Sequence, residues 1–259
     1  MQDNSFNIKI TLDKGVLAAD IRKALAQIGE EIALGLSTHQ FYAHNHFTLH
    51  MAEIQRIAPF AHLAFRCGDI ITTPCHNDFE GGSIDWIVIE HDAGFVKLWM
   101  KNVLSDKQPF GLDNMWSTSS LRAWLNDESS GFLSGFSVED RAAITPTELI
   151  TYKDDKPIST SDRVFILSAS EMAFTRDDGI DLREGDPYAF FREAKDADWA
   201  MSTHCKTFED GTPASHWVRS PYPWDTDIVR LVTPSGTVVN SGAYGAHGVA
   251  AALTIRSIG

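Results

Sequence analysis

Four histidines, His39, His44, His46 and His50, form the densest group of possible metal ligands in the chain. His46 and His50 stand four apart, so on a helix their imidazoles would share a face and could hold zinc. His44 and His46, however, share a face only on a strand, and no acidic or cysteine residue stands nearby at a ligand spacing. The preferred reading is an exposed or interface histidine loop. Cys67, Cys75 and His76 make a weaker zinc set. Asp225 and Asp227, spaced D-x-D beside Trp224, could offer two oxygens to calcium, which needs several converging in one loop; alone the pair reads as a solvated turn. Nucleophilic chemistry has less support. G-x-S-x-G is absent, and neither "LSAS" (167–170) nor "VRSP" (218–221) has the strained strand-to-helix context of a nucleophilic serine. The carboxylate pairs Asp177–Asp178 and Glu184–Asp186 fall in polar segments where solvation accounts for them. Three cysteines, Cys67, Cys75 and Cys205, are an odd and sparse set, which argues against a disulfide framework. No catalytic residue, metal or other cofactor is therefore assigned.

Two C-terminal segments have a different character. Tyr222, Trp224, Asp225, Asp227 and Arg230, and beyond them Asn240, Ser241, Tyr244 and His247, occupy turn-rich stretches on either side of a hairpin pattern. An apolar core has no obvious use for them there. Tyr and Trp supply large contact area at small entropic cost, while Asn, Ser, Asp and Arg supply adaptable hydrogen bonds, the mixture found in recognition surfaces. These residues are the candidate ligand-binding set, with a protein or a glycan as the ligand. Trp86, Trp116, Trp124 and Trp217 fall within strand or helix patterns instead, and read as core residues whose indole N–H groups find partners.

The elements that must carry these residues change character near residue 65. Asn7 to Leu12 reads as a short strand, and Asp13 can cap a helix in which Leu17, Ile21, Leu25, Ile28 and Ile32 recur at helical spacing. A second helix is expected to carry Phe47, Met51, Ile54 and Ala58 on one face and to end before Pro59. Such helices cannot bury their apolar stripes alone and must pack on the following domain or on copies of themselves. From Cys67 onward the pattern turns to strands, at 69–72, 83–91 and 95–100, and to capped helices within 117–126 and after Ser137. A strand at 163–167 is expected to feed a helix capped at Ser168 or Ser170, and Thr175 to Pro187 reads as a surface loop. The segments 216–220, 227–232, 237–240 and 249–256 suggest a small antiparallel sheet.

Bulk properties narrow the partners. With 43% hydrophobic residues and seven tryptophans, the 259-residue chain can bury a substantial core. Lys and Arg total 22 against 35 Asp and Glu, a net charge of -13, and no basic cluster breaks that background. Nucleic acid is excluded as an expected partner on this ground, as is an anionic membrane surface. No stretch approaches the roughly 18 apolar residues of a membrane span, so no membrane insertion is expected. The start, Met1-Gln2-Asp3-Asn4-Ser5, lacks the basic and apolar runs of a secretory signal. Cytoplasmic synthesis is the expectation, with a virion as a compatible destination.

Five pieces carry a resemblance: "IDWIVIEHD" (84–92), "WSTSSLRAWLN" (116–126) with "GFSVEDRAAI" (135–144), "DRVFILSASE" (162–171), "HWVRSP" (216–221) and "GVAAALTIR" (248–256). In this order, over residues 68 to 257, they resemble an uncharacterised domain family of bacteria and their phages that has a C-type-lectin-like fold. The resemblance implies an α+β domain over residues 66–259, with small twisted antiparallel sheets and two flanking helices. Residues 1–65 precede it as a helical attachment or oligomerisation segment. "GVAAAL" departs from the family's Arg-Pro pair, and Val218 stands where leucine is common, a volume change a core tolerates. Arg122 and Arg219 belong to the matching pieces and are expected to hold loops through carbonyl or carboxylate bonds. The wider fold includes sugar-binding lectins, formylglycine-generating enzymes, phage receptor-binding tips and variable proteins of diversity-generating retroelements, so the fold does not settle function. Copper oxidation of the formylglycine-generating type needs a C-terminal cysteine pair, where this chain has only Cys205. In the retroelement proteins the diversified positions lie in the C-terminal region that holds the candidate set. The expectation is therefore a non-catalytic ligand-binding module, as a phage or prophage receptor-binding protein or a retroelement-diversified variable protein. The alternatives are a metal-dependent enzyme on the formylglycine-generating-enzyme-like fold and a purely structural virion subunit that self-associates through residues 1–65.

Overall fold

The computed structural model describes residues 46–75, 82–176, 179–192 and 202–257. The expected strand at 7–12, the helix carrying Leu17 to Ile32, and His39, His44 and His76 lie outside them. β1 (His46–Thr48) pairs in parallel with β2 (Ile70–Pro74), and β2 pairs antiparallel with β3 (Ser83–Asp92). Along β3, Ile84, Trp86 and Val88 alternate inward, and a register slip between Val88 and Glu90 turns Ile89 inward too. A tight turn at Ala93–Gly94 returns the chain as β4 (Phe95–Met100). Next come the short β5 (Gln108–Pro109) and β6 (Ile144–Thr145), the hairpin of β7 (Thr147–Lys153) with β8 (Lys156–Asp162), and β9 (Val164–Ile166). β10 (Lys206–Thr207) pairs with β11 (Pro213–Ala214), while β12 (His216–Pro221), β13 (Ile228–Val232) and β14 (Val238–Gly242) form a three-stranded sheet. β15 (Ala246–His247) pairs with β5, and β16 (Ala251–Arg256) closes the described chain. The largest sheet runs β1-β2-β3-β4-β16-β6, with β9 also on β16.

The fold is thus mixed α+β, made mostly of small sheets with few and short helices. The longest described helix, Met51–Ile57, spans seven residues, and among the described residues no helix is long and apolar enough to cross a membrane.

Several local expectations hold at the level of single atoms. Ser119 caps the helix Ser120–Leu125 by accepting from Arg122 N, and Ser137 caps Val138–Ala143 by accepting from Asp140 N. The indole N–H of Trp86 donates to Thr73 Oγ1 at 2.8 Å, that of Trp116 to Asp162 Oδ2 at 2.9 Å, and that of Trp217 to Gln108 O at 2.8 Å. Arg122 donates to Asp162 Oδ1 and to Ser117 O, which is the loop-holding role expected of it.

Other expectations are corrected. Phe47 lies on β1 and not on a helix, because parallel pairing with β2 fixes His46–Thr48 as strand. The helix that follows buries Met51, Ile54 and Ile57, and Pro59 is accommodated at the start of the 3-10 turn Ala58–Phe60. No helix follows Ser168. Ser168 and Glu171 make reciprocal backbone bonds, Ser168 N to Glu171 Oε2 at 2.9 Å and Glu171 N to Ser168 Oγ at 3.1 Å, but the segment stays a turn and Ala173 at φ 64 stops it from continuing as a helix. The segment 175–187 is not simply a surface loop, since Ile180 and Glu184 are buried. The C-terminal sheet lacks its expected last strand: β16 leaves it to pair with β4, β6 and β9. The β7–β8 hairpin was not anticipated, although Asp154 and Asp155, both at positive φ, form the two-residue turn that such hairpins use.

One continuous apolar cluster joins these parts, and it includes Phe47, Leu49, Met51, Ile54, Ile57, Ala61 and Phe65. Residues 46–65 are therefore packed on the rest of the fold. Asn126 ties the helix Ser120–Leu125 to β9: its Oδ1 accepts from Arg163 N and Val164 N, and its Nδ2 donates to Val164 O. Asn126→Ala is expected to cost about 1–3 kcal/mol, since several backbone groups lose their partner. Thermal unfolding with an unchanged native circular dichroism spectrum would measure it, and an unshifted midpoint would contradict it.

Candidate functional site

β12 holds the site in place because both its edges are bonded. On one side it pairs with β13; on the other Trp217 N donates to Gly248 O and Arg219 N to Leu167 O, each at 3.0 Å. Residues 216–220 are buried, and only from Pro221 does the chain reach the surface. The Trp217 ring packs against Phe110 and the His247 imidazole.

The connection from β12 to β13 carries Tyr222, Trp224, Asp225 and Asp227. Asn114, buried and not foreseen from the sequence, shapes it: Asn114 N donates to Thr226 O at 2.7 Å, and Nδ2 donates to Tyr222 O at 3.0 Å and Asp225 O at 2.8 Å. Asp225 Oδ1 accepts from Asp227 N at 2.9 Å, so the D-x-D spacing closes a turn. The rings of Tyr222 and Trp224 meet edge to face at 5.2 Å, and the Arg230 guanidinium lies 5.0 Å from the Tyr222 ring centre. Arg230 itself faces inward: it is buried and donates to Gly179 O at 2.7 Å, so it supports Tyr222 from beneath.

The remaining candidates sit on or after β14. Asn240 pairs with Arg230 across the ladder and is exposed. Ser241 Oγ and His247 Nε2 are hydrogen-bonded at 2.8 Å, and burial lowers the His247 pKa. The Tyr244 ring lies over Gly242, where a Cβ would come within 2.9 Å of Cε1; glycine lets the ring lie flat on the backbone.

The structure brings the three segments together. Gly111 N donates to Ala243 O at 3.1 Å, Ala243 N to Asp227 O at 2.8 Å, and Asn114 N to Thr226 O. They carry the three most exposed large apolar side chains among the described residues: Leu112 at 95%, Tyr244 at 80% and Trp224 at 77%. Leu112 is the member that sequence reasoning missed, since a lone leucine in "FGLDN" gives no periodic signal.

The histidines described do not converge. His46 Nε2 is 2.6 Å from Thr72 Oγ1, whereas His50 Nδ1 faces Asp140 Oδ2 at 3.3 Å. Among the described residues no group of three or more His, Cys, Asp or Glu is placed to hold a metal ion, and Cys67, Cys75 and Cys205 are not joined in disulfides.

Two charged groups are also buried, and of their members only Arg219 carries an expectation from the sequence, a loop-holding role that its bonds to a carboxylate and a carbonyl fulfil. In the first, Arg219 Nη2 donates to Glu171 Oε1 at 2.6 Å and to Glu184 O at 3.1 Å, Tyr188 Oη donates to Glu171 Oε1, and Lys97 Nζ donates to Tyr188 Oη. Ser220 Oγ donates to Glu184 Oε2 and accepts from Ala169 N. Gly185, at φ 136, lies so close to Glu171 that a Cβ would come within 2.9 Å of its Cγ. Burial pushes Glu184 up to about 8, and Tyr188 well above its ordinary value. The burial of Glu184 corrects its solvated reading, and the S-x-x-E spacing of Ser168 and Glu171 is the sequence signal that points to this centre.

The second is Lys206, whose Nζ donates to Met100 O and Lys101 O and lies 3.2 Å from the Trp99 ring centre. Burial lowers its pKa well below the ordinary value, but two carbonyls and a ring face occupy the amine. Beside it an open cleft of about 360 Å³ is lined by Ile87, Asn102, Phe190 and Cys205. Burial raises the Cys205 thiol, the opposite of what thiolate chemistry needs. The described geometry therefore offers aromatic and carboxylate contacts at the surface and structural charge inside.

Residues 94–257 match the model of a family described as a Domain of unknown function (DUF6273). The matched stretch contains all the candidate residues, Leu112, Asn114 and the buried charged centre. No curated protein and no solved structure matches the chain.

Proposed function

The chain belongs to the DUF6273 family, and from that premise we propose that it is a non-catalytic recognition module with a C-type-lectin-like fold, binding a protein or a glycan through segments 110–114, 222–227 and 242–247. One observation carries the reading: the three most exposed large apolar side chains among the described residues belong to segments knitted together by main-chain hydrogen bonds. Large apolar side chains held out into water by a bonded scaffold cost stability without returning any packing, and exposed apolar surface gathered on bonded segments suits an interaction site. Buried Asn114 and Arg230 and the glycine under Tyr244 preorganise the rings, which limits the ordering cost of binding. We infer a phage, prophage or retroelement setting for the module; neighbouring reverse transcriptase or tail genes would support it.

Replacing Tyr222, Trp224 and Tyr244 together with alanine is expected to weaken binding about 100-fold or more while shifting stability little, because Trp224 and Tyr244 are exposed. Glycan arrays and binding to surface-protein extracts of candidate target cells, wild type against variant, measure this. Undiminished binding by the variant would overturn the assignment.

A further inference from the structure

We propose that the surface formed by Leu112, Trp224 and Tyr244 docks a protein segment in which arginine or lysine stands beside apolar residues; this rests on the recognition reading above and names its partner. Charge complementarity is the first ground. The segments 110–114, 222–227 and 242–247 contain Asp113, Asp225 and Asp227 and no lysine or arginine, in a chain of net charge -13. Two neighbouring cations already have partners. Arg230 is buried against Gly179 O, and Lys107 directs its ammonium over the Phe208 ring at 5.7 Å.

The carboxylates are held in place. Asp113 Oδ1 accepts from Met115 N and Thr118 Oγ1, Asp225 Oδ1 accepts from Asp227 N, and Asp227 Oδ1 accepts from Thr226 Oγ1. Fixed carboxylates beside exposed Trp and Tyr faces suit a guanidinium or ammonium that stacks on a ring and pairs with an acid. Leu112 is the second ground. A leucine 95% exposed beside the rings offers nothing to sugar hydroxyls, but it suits an apolar side chain flanking the cation.

The test is selection of a random-peptide display library on the immobilised full chain, in parallel with a neutral-glycan array. Selected peptides are expected to be enriched in Lys and Arg next to apolar residues. Their affinity should fall about tenfold between low and high salt, several-fold in the D225N/D227N double variant, and about tenfold in L112A. Failure to select any peptide, selection without basic enrichment, or equal binding to D225N/D227N would overturn the basic partner. Failure of the underlying reading looks different, because peptide or glycan binding would then survive W224A/Y244A. A neutral glycan whose binding is lost in W224A/Y244A but is indifferent to D225N/D227N would keep recognition at this surface and overturn the basic protein partner.

Discussion

Arg219→Ala is expected to destabilise the fold by about 3–5 kcal/mol, a large share of the 5–15 kcal/mol typical of a domain. Arg219 is fully buried, and its guanidinium is the cationic partner that donates to the Glu171 carboxylate, itself 5% exposed. Without it, Glu171 keeps Ser168 N and Tyr188 Oη as donors but loses its directly bonded cation, and Lys97 reaches it through Tyr188 Oη. The Glu184 carbonyl loses a donor in the same step. Guanidinium unfolding would show a lower midpoint with an unchanged slope. Arg219→Lys should fall between wild type and alanine, because both bonds of Arg219 come from Nη2, and an ammonium keeps the charge but is more strongly hydrated and shorter in reach. Combining Arg219→Met with Glu171→Leu should recover much of the loss, since an apolar pair of similar volume removes the stranded charge. A loss below about 1 kcal/mol in Arg219→Ala would show that the pair contributes little.

The contrast between Arg219 and Glu184 shows what was legible in the sequence. Arg219 sits in "HWVRSP", and its role as a loop-holder was readable because the piece combines a strand pattern with a charge that a strand interior cannot leave unpaired. Caps at Ser119 and Ser137 and the β3–β4 hairpin were readable for a similar reason, since local chemistry decides them within a few residues. Glu184 was not. Its acidic, glycine-containing surroundings look solvated, and only a contact with Ser220, 36 positions away, places it inside. The same limit explains β16, whose strand character was readable but whose partners are set by strands distant in sequence. The candidate surface was half legible: residue types marked Tyr222, Trp224 and Tyr244 as poor core material, yet they could not say that Arg230 turns inward or that Leu112 joins the rings. The first depends on a bond to Gly179 O, 51 positions away, and the second on main-chain bonds that join the segment of Leu112 to those of the rings.

Glu184 also gives stability an unusual dependence on pH. Burial raises its pKa from the ordinary 4.5 to about 8, against the smaller opposing pull of Arg219. A carboxyl raised in the folded state is protonated there across the range where the unfolded chain has released its proton. The unfolded state then binds fewer protons, and stability falls as pH rises from about 4.5 to about 8. The gap corresponds to a loss on the order of 5 kcal/mol, fully present only above the folded value. Other buried groups titrate nearby with the opposite sign. Burial holds His216 down at about 4, so its contribution grows with pH up to its ordinary 6.5, and burial likewise lowers Lys206. The wild-type profile alone is therefore a composite. Glu184→Gln isolates the carboxyl, because the amide keeps the shape and the oxygen that accepts from Ser220 Oγ but cannot ionise. The two proteins should unfold at similar denaturant concentrations near pH 5, and the variant should become progressively the more stable toward pH 8. Parallel profiles across that range would mean that Glu184 does not hold a proton in the fold. Divergence would show that the acid bonded to Ser220 of β12 is neutral below its folded pKa, so that this link between β12 and the segment before Gly185 is weakened as the carboxyl ionises in alkali.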